Sequence, residues 1–211
     1  MKKYQTHLPV FLVLALTTLG GSVESVAENR HPSERASLIQ QAKDGDIHAV
    51  QILGESKDVS LLPILSDQLV EARRANASPV YIRTLRRSLA GLGNSVERKE
   101  IIEELESSNR YVQYHAIEDA GRIGGNDMVN VLAKLLNDPS PGGRPIDQDG
   151  TLIEDVSLPA PRHSAVIALT RIIDDPAAPA IDLKRITYSE KSVKEWQSWW
   201  VSNQDKYMGD Q

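Results

Sequence analysis

One helical phrase recurs along the chain. It reads Tyr114-His115-Ala116-Ile117-Glu118-Asp119-Ala120-Gly121-Arg122-Ile123-Gly124, and again His163-Ser164-Ala165-Val166-Ile167-Ala168-Leu169-Thr170-Arg171-Ile172-Ile173. Looser copies run from Ala49 to Gly54 and from Leu85 to Gly93. Ala49, Leu85, Ala116 and Ala165 take equivalent places, at spacings of about 36, 31 and 49 residues. Helix pairs repeated on this scale cannot bury their apolar faces alone and must stack on their neighbours. The expected fold is all-α, an α-solenoid of about four helix pairs.

The pieces follow from local signals. Pro32 and Ser33 open a helix to about Lys43, with Leu38, Ile39 and Ala42 as its apolar stripe. Asp44-Gly45-Asp46 makes a turn, and Asp46 caps a helix over 47–54. Ser60 is expected to cap a longer helix with Pro63 in its first turn, where a missing N–H costs little. Ser78-Pro79 starts the next helix, whose Ile82, Leu85, Leu89 and Leu92 share one face. Asn94 and Glu97 have capping-box spacing ahead of Ile101, Ile102 and Leu105. The best repeat helix follows Asn109 and closes at Gly124-Gly125, and Asn126 opens its partner.

The long third spacing comes from an insertion, residues 137–160, rich in proline and glycine and unable to form a regular helix. Beyond Asp175 the phrase stops. In the segment 176–211, Ser192 and Glu195 form a second capping box before Trp196, Trp199 and Trp200, with Tyr207 further on. These are all the tryptophans of the chain. A terminal repeat has no neighbour to cover its apolar face, so this helix is expected to serve as a cap. If one ring stays partly exposed, Trp196, nearest the helix start, is the one expected to do so.

The first 27 residues read as an address. Lys2 and Lys3 precede an apolar run from Leu8 to Leu19, and Ser25-Val26-Ala27 gives a small-residue exit. The run is shorter than the ~20 apolar residues of a spanning helix, which favours a cleavable signal peptide over an uncleaved anchor. Cleavage after Ala27 would leave a repeat domain over 28–175 and the C-terminal segment, periplasmic or secreted, with no membrane span. The net charge of −5 becomes about −6 once Lys2, Lys3 and Glu24 are removed. A mildly acidic chain is a poor nucleic-acid binder, because phosphate contacts need a basic surface. Zero cysteines exclude disulfides, thiol catalysis and thiolate metal sites. With a single Phe the core must be largely aliphatic.

The phrases starting at Ala116 and Ala165 resemble the second helix of HEAT-like repeats, where small residues allow close helix approach and a turn glycine ends the helix. Leu85 in place of the first Ala and Ile173 in place of the last Gly depart from that pattern. The resemblance covers roughly residues 33–175. It implies a right-handed solenoid and says little about activity, since repeat scaffolds carry many functions. The Trp-x-x-Trp-Trp ending is similar to tails of exported bacterial HEAT-repeat-containing proteins.

Candidate binding residues are few. Arg83, Arg86 and Arg87, with Arg73 and Arg74 upstream, form the dense basic cluster, suited to carboxylate or phosphate partners. The plainer reading is a helix face neutralised by Glu97, Glu100, Glu103 and Glu104. His48 and His115 each precede a repeat Ala, and His163 lies two before Ala165. Helices about 10 Å apart do not bring such histidines together, and the His-Glu ligand pairs of HEAT-like hydroxylases are missing. No metal or cofactor is therefore expected. Asp147, Asp149 and Gly150, with Glu154 and Asp155, suggest part of a calcium loop. The register, however, puts Pro145 at the first ligand position and Val156 at the bidentate one.

No Gly-x-Ser-x-Gly, phosphate-binding glycine loop or His-Glu-x-x-His occurs. The sequence thus points to a non-enzymatic protein- or peptide-binding scaffold, with Arg83, Arg86, Arg87, His48, His115 and Trp196 as its candidate contacts. The alternative is a small-molecule or glycan binder using the tryptophans and the insertion.

Overall fold

Short polar side chains set most of the helix starts. In the computed structural model, which describes residues 32–144, 157–185 and 188–208, Asp46 accepts from the backbone N–H groups of His48 and Ala49, and Ser78 from Tyr81. Asn94 accepts from Val96 and Glu97, and Asn109 from Tyr111 and Val112. Each cap satisfies donors that a first turn leaves without intrahelical partners.

The resulting helices are α1 Pro32–Lys43, α2 Ile47–Glu55, α3 Leu62–Arg74, α4 Pro79–Gly91 and α5 Ser95–Leu105. They continue as α6 Arg110–Ile123, α7 Asn126–Leu135, α8 Pro161–Ile172 and α9 Glu190–Asn203. Two 3-10 turns, Val59–Leu61 and Gln204–Lys206, complete the set among the described residues, which contain no strand. The fold is all-α. The expected leader at 1–27 and the calcium-loop fragment at 147–155 lie outside the described residues.

Two helix starts differ from the sequence reading. Asp58, not Ser60, caps the turn ahead of α3 by accepting from the Ser60 N–H. The Ser60 hydroxyl is occupied elsewhere, donating to Asp58 at 2.6 Å and accepting from Arg35 at 2.7 Å. At the other end Ser189 caps α9, one turn before the Ser192–Glu195 box. Glu190 in that added turn receives Arg162 at 2.6 Å, so a tertiary ion pair draws the helix start upstream.

α1 packs on α2, α3 on α4, α5 on α6 and α7 on α8, while α2, α4, α6 and α8 also contact one another in succession. Ala49, Leu85, Ala116 and Ala165 are all buried. Small residues make the close contacts. A Cβ on Gly54 of α2 would stand 2.4 Å from the Ser88 Cβ of α4, and one on Gly121 of α6 would stand 3.0 Å from Ala168 of α8. Ser88 also donates to the Val50 carbonyl at 3.1 Å. Gly124 ends α6 at φ +71°, where a side chain would be strained.

The apolar interior falls into two clusters. One gathers α1 to α4 around Leu53, Leu61, Leu65, Leu69, Leu85 and Leu89. The other gathers α5 to α9, with Ala90 of α4, around Ile101, Leu105, Met128, Leu132, Leu169 and Trp196. Between them α4 and α6 contact each other less than α2 does α4 or α6 does α8. The place in the phrase held by Ser88 on α4 and Ala168 on α8 is held on α6 by Asp119. A charged side chain stands where the other junctions have a hydroxymethyl or a methyl.

α9 lies on α8, with Gln197 donating to the Leu136 carbonyl at 2.8 Å and Asn130 to the Tyr207 carbonyl at 3.0 Å. Trp196 meets Trp199 edge-on with centroids 5.4 Å apart. The expectation for Trp196 is corrected here, for it is 0% exposed and the deepest of the three rings. Packing on α8 turns Val193 and Trp196 inward, and the half-buried indole is Trp200, beside Tyr207. The insertion is tied down at its ends. Gly143 and Leu158 exchange backbone hydrogen bonds of 2.9 and 2.8 Å. Arg162 donates to the Asp138 and Ser140 carbonyls, and Arg110 to that of Pro159.

Candidate functional site

The three arginines of α4 point to two different helices. Arg86 turns to α5, donating to Glu97 at 3.0 Å, Glu104 at 2.8 Å and Glu100 at 3.0 Å. Arg73 adds a longer contact to Glu97, whose side chain is only 6% exposed. Glu103, expected in this set, pairs with Lys99 instead. Burial acts against the charge of Arg86, and Glu104 and Glu97 more than restore it, so its pKa is raised.

Arg83 and Arg87 turn to α6. Arg83 grips Asp119 with two parallel bonds, Nε to Oδ2 at 2.7 Å and Nη2 to Oδ1 at 3.0 Å, the fork geometry that makes such pairs strong. Arg87 reaches the same carboxylate only through one bond of 3.3 Å. The consequences diverge. For Arg83 burial is outweighed by Asp119 and Glu118, and its pKa is raised. For Arg87 burial dominates, Asp119 compensates in part, the charges of Arg122 and Arg83 oppose it, and its pKa is lowered.

His115 joins this group. Its Nδ1 lies 2.6 Å from Arg83 Nη1 and 3.4 Å from Glu118 Oε2. In a neutral ring that nitrogen accepts from Arg83, and in a protonated ring it donates to Glu118. Tyr111 meets the His115 ring edge-on at 4.4 Å and Tyr114 at 5.4 Å. Burial and the Glu118 carboxylate raise the Tyr114 phenol, whose charge would also be felt by Tyr188. Tyr188, 54% exposed, lies 6.0 Å from the His163 ring, which faces Glu190.

A strip thus runs from Arg83 on α4, over His115, Tyr111, Tyr114 and Glu118 on α6, to His163 on α8 and Tyr188 before α9. It offers partly exposed aromatic rings beside paired charges, a combination suited to protein contacts. The structure brings Arg83, Arg87 and His115 together. It places Arg86 with the glutamates of α5, leaves His48 exposed on α2, and buries Trp196.

The sequence reading missed Asp119, Glu118 and the tyrosines. Asp119 had a signal, an acid at a repeat position that is small on α4 and α8. Among the described residues no group of three His, Cys, Asp or Glu side chains is placed to hold a metal, and no helix is long and apolar enough to cross a membrane.

Glu118 makes the site acid-sensitive. The His115 ring, with Arg83 behind it, holds its carboxyl down to about 2 from 4.5, against burial acting the other way. A lowered carboxyl contributes stability that is complete above its unfolded value and is lost as pH falls through the folded one. The melting temperature is expected to decline as pH drops from 4.5 towards 2, and Glu118→Gln to flatten part of that decline. A Gln variant that follows the parent's pH profile would remove Glu118 as a source.

Comparison of the chain with protein-family models, with curated proteins and with solved structures finds no match.

Proposed function

We propose that this chain is an exported, non-enzymatic interaction scaffold that binds a protein or peptide partner along the row of α2, α4, α6 and α8. On this reading the helix pairs form a right-handed, HEAT-like solenoid closed at its end by α9, and the leader is removed after Ala27. The carrying observation is the strip across α4, α6 and α8. Tyr111 on α6 is 39% exposed and Tyr188, just before α9, is 54% exposed, beside a helix row that small-residue contacts and the ion pairs of Asp119 hold in place. Rigid aromatic side chains on a fixed backbone give contact area at low entropic cost.

The alternative, a small-molecule or glycan binder on the tryptophan helix, draws on an open groove between Ala177, Pro179 and α9 that Trp199 lines. Sugar stacking needs a free indole face, whereas Trp196 and Trp199 are 0% and 8% exposed and Trp200 is half-buried beside Tyr207. The strip is the better supported surface.

A photo-crosslinking residue at Tyr111, installed in cells, tests this directly, with Val201 on α9 as the control since it is 71% exposed and off the strip. Adducts to a protein are expected at Tyr111 and not at Val201, on a chain whose mass in the periplasmic fraction starts at Glu28. Adducts at Val201 alone would move the partner to the C-terminal helix. A crosslinked chain that retains Met1 in the membrane fraction would overturn the export assignment.

A further inference from the structure

Arg87 on α4 is a guanidinium that the fold leaves short of partners. Its side chain is 15% exposed, and its one anionic contact is a 3.3 Å bond from Nη1 to Asp119. That carboxylate is already gripped by both Nε and Nη2 of Arg83. Nε and Nη2 of Arg87 make no hydrogen bond, and neither is sealed from solvent. A half-buried cation so placed has lost hydration without gaining a full set of acceptors. Donors that still reach the surface can take those acceptors from outside.

Its neighbours complete the setting. Asp119 and Arg122 are three residues apart on α6, so the Arg122 side chain stands one turn beyond the carboxylate that Arg87 touches. Arg122 is exposed and forms no ion pair among the described residues, and its charge and that of Arg83 both act against Arg87. Gly91 lies four residues after Arg87, on the same face of α4. It is exposed, and a Cβ there would meet only the Gly54 carbonyl oxygen, at 3.8 Å. The surface beside Arg87 is therefore open. On α8 Arg171 holds the place in the phrase that Arg122 holds on α6, again exposed and without an ion pair among the described residues. A cation in the last turn offsets the helix dipole, which accounts for Arg122 and Arg171 taken singly. Arg87 lies before the last turn of α4, and the dipole does not account for it.

We infer that Arg87 and Arg122 form a receptor for a carboxylate in an acidic segment of the protein partner, with Gly91 leaving room for it and Arg171 continuing the positive edge along the helix row. The inference rests on the scaffold reading above and names the chemistry of its partner. A guanidinium binds a carboxylate best through two parallel N–H groups, and in Arg87 the pair that forms this fork, Nε and Nη2, is unspent. Arg83 uses the same two nitrogens on Asp119. An incoming carboxylate thus gives Arg87 what Asp119 already gives Arg83. The chain as a whole carries a net charge of −5, so an acidic segment is repelled elsewhere and its contact is confined to this edge.

The test uses the whole chain, 15N-labelled, with acetyl-Ala-Glu-Ala-Glu-Ala-amide, its Gln-for-Glu counterpart and inorganic phosphate as probes. The Glu peptide is expected to shift the Arg87 and Arg122 Nε–H resonances saturably, with an affinity that falls as salt rises, and the Gln peptide to leave them in place. Arg87→Gln and Arg122→Gln should each weaken the Glu peptide by about tenfold. Gly91→Glu should weaken it too without lowering the melting temperature, because it sets a carboxylate of the chain's own beside Arg87. The proposal is overturned if both peptides bind alike, if the Glu peptide does not bind at millimolar concentration, or if phosphate binds as tightly as it does. Binding at the parent's affinity by Gly91→Glu, or by Arg87→Gln combined with Arg122→Gln, would also sink it. Failure of the scaffold reading looks different, as a parent chain without adducts at Tyr111 in cells. Adducts that persist undiminished in the Arg87→Gln, Arg122→Gln chain would keep the partner on the strip and remove this receptor.

Discussion

Asp119→Ala is expected to destabilise the fold by about 3–5 kcal/mol, the cost of breaking a buried ion pair by removing one partner. The Asp119 side chain is 5% exposed and holds two guanidinium groups, those of Arg83 and Arg87, themselves only 28% and 15% exposed. Without it both charges remain between the two apolar clusters, and Arg87 has no other anionic contact among the described residues. Urea denaturation gives the measure. A loss below about 1 kcal/mol would mean that water reaches both arginines in the folded protein and that the pair is worth no more than a surface one. Replacing Asp119, Arg83 and Arg87 together by Leu, Met and Leu should recover most of the loss, since an apolar filling avoids the desolvation of charge.

Ending the chain at Tyr188 should have an effect at least as large. It removes α9 and with it Val193, Trp196 and Trp199 from the second core cluster. Burying indoles of roughly 150–250 Å² each is a major part of what covers α7 and α8. The shortened protein is expected to melt lower, bind more hydrophobic dye and self-associate through the uncovered patch. Trp196→Ala alone should cost about 3–5 kcal/mol by urea denaturation. A truncated chain that stays monomeric at the parent's melting temperature would show that α9 is not a structural cover.

The helices were legible because each rests on signals within a few residues. Asp46, Ser78, Asn94 and Asn109 announce their starts, and the phrase aligned on Ala49, Leu85, Ala116 and Ala165 marks positions that are all buried. What failed depended on distant parts of the chain. Ser192 and Glu195 satisfy the local pattern of a cap, yet Arg162, a long way upstream in sequence, pairs with Glu190 and moves the start of α9. Position along a helix made Trp196 the exposed ring, whereas the direction of α8 buried it. The candidate site was half legible. A run of arginines could be seen, and the split that sends Arg86 to α5 and Arg83 and Arg87 to α6 could not, because it depends on the angle at which α4 meets its neighbours. Asp119 carries a lesson of its own. A polar residue on an otherwise apolar or small-residue position is visible in sequence, and its meaning depends on what the opposing helix supplies.

The junction of α4 and α6 differs mechanically from the contacts on either side of it. Dispersion between packed methyl groups loses about a quarter to a half of its strength over the first ångström of separation, whereas attraction between a guanidinium and a carboxylate declines only as the inverse of distance. A joint held by Arg83, Arg87 and Asp119 therefore keeps its attraction over small displacements that would cost the Gly54–Ser88 and Gly121–Ala168 contacts theirs. The strip crosses that joint between Arg83 and His115, so its two sides are tied by charge where the neighbouring junctions are tied by packing.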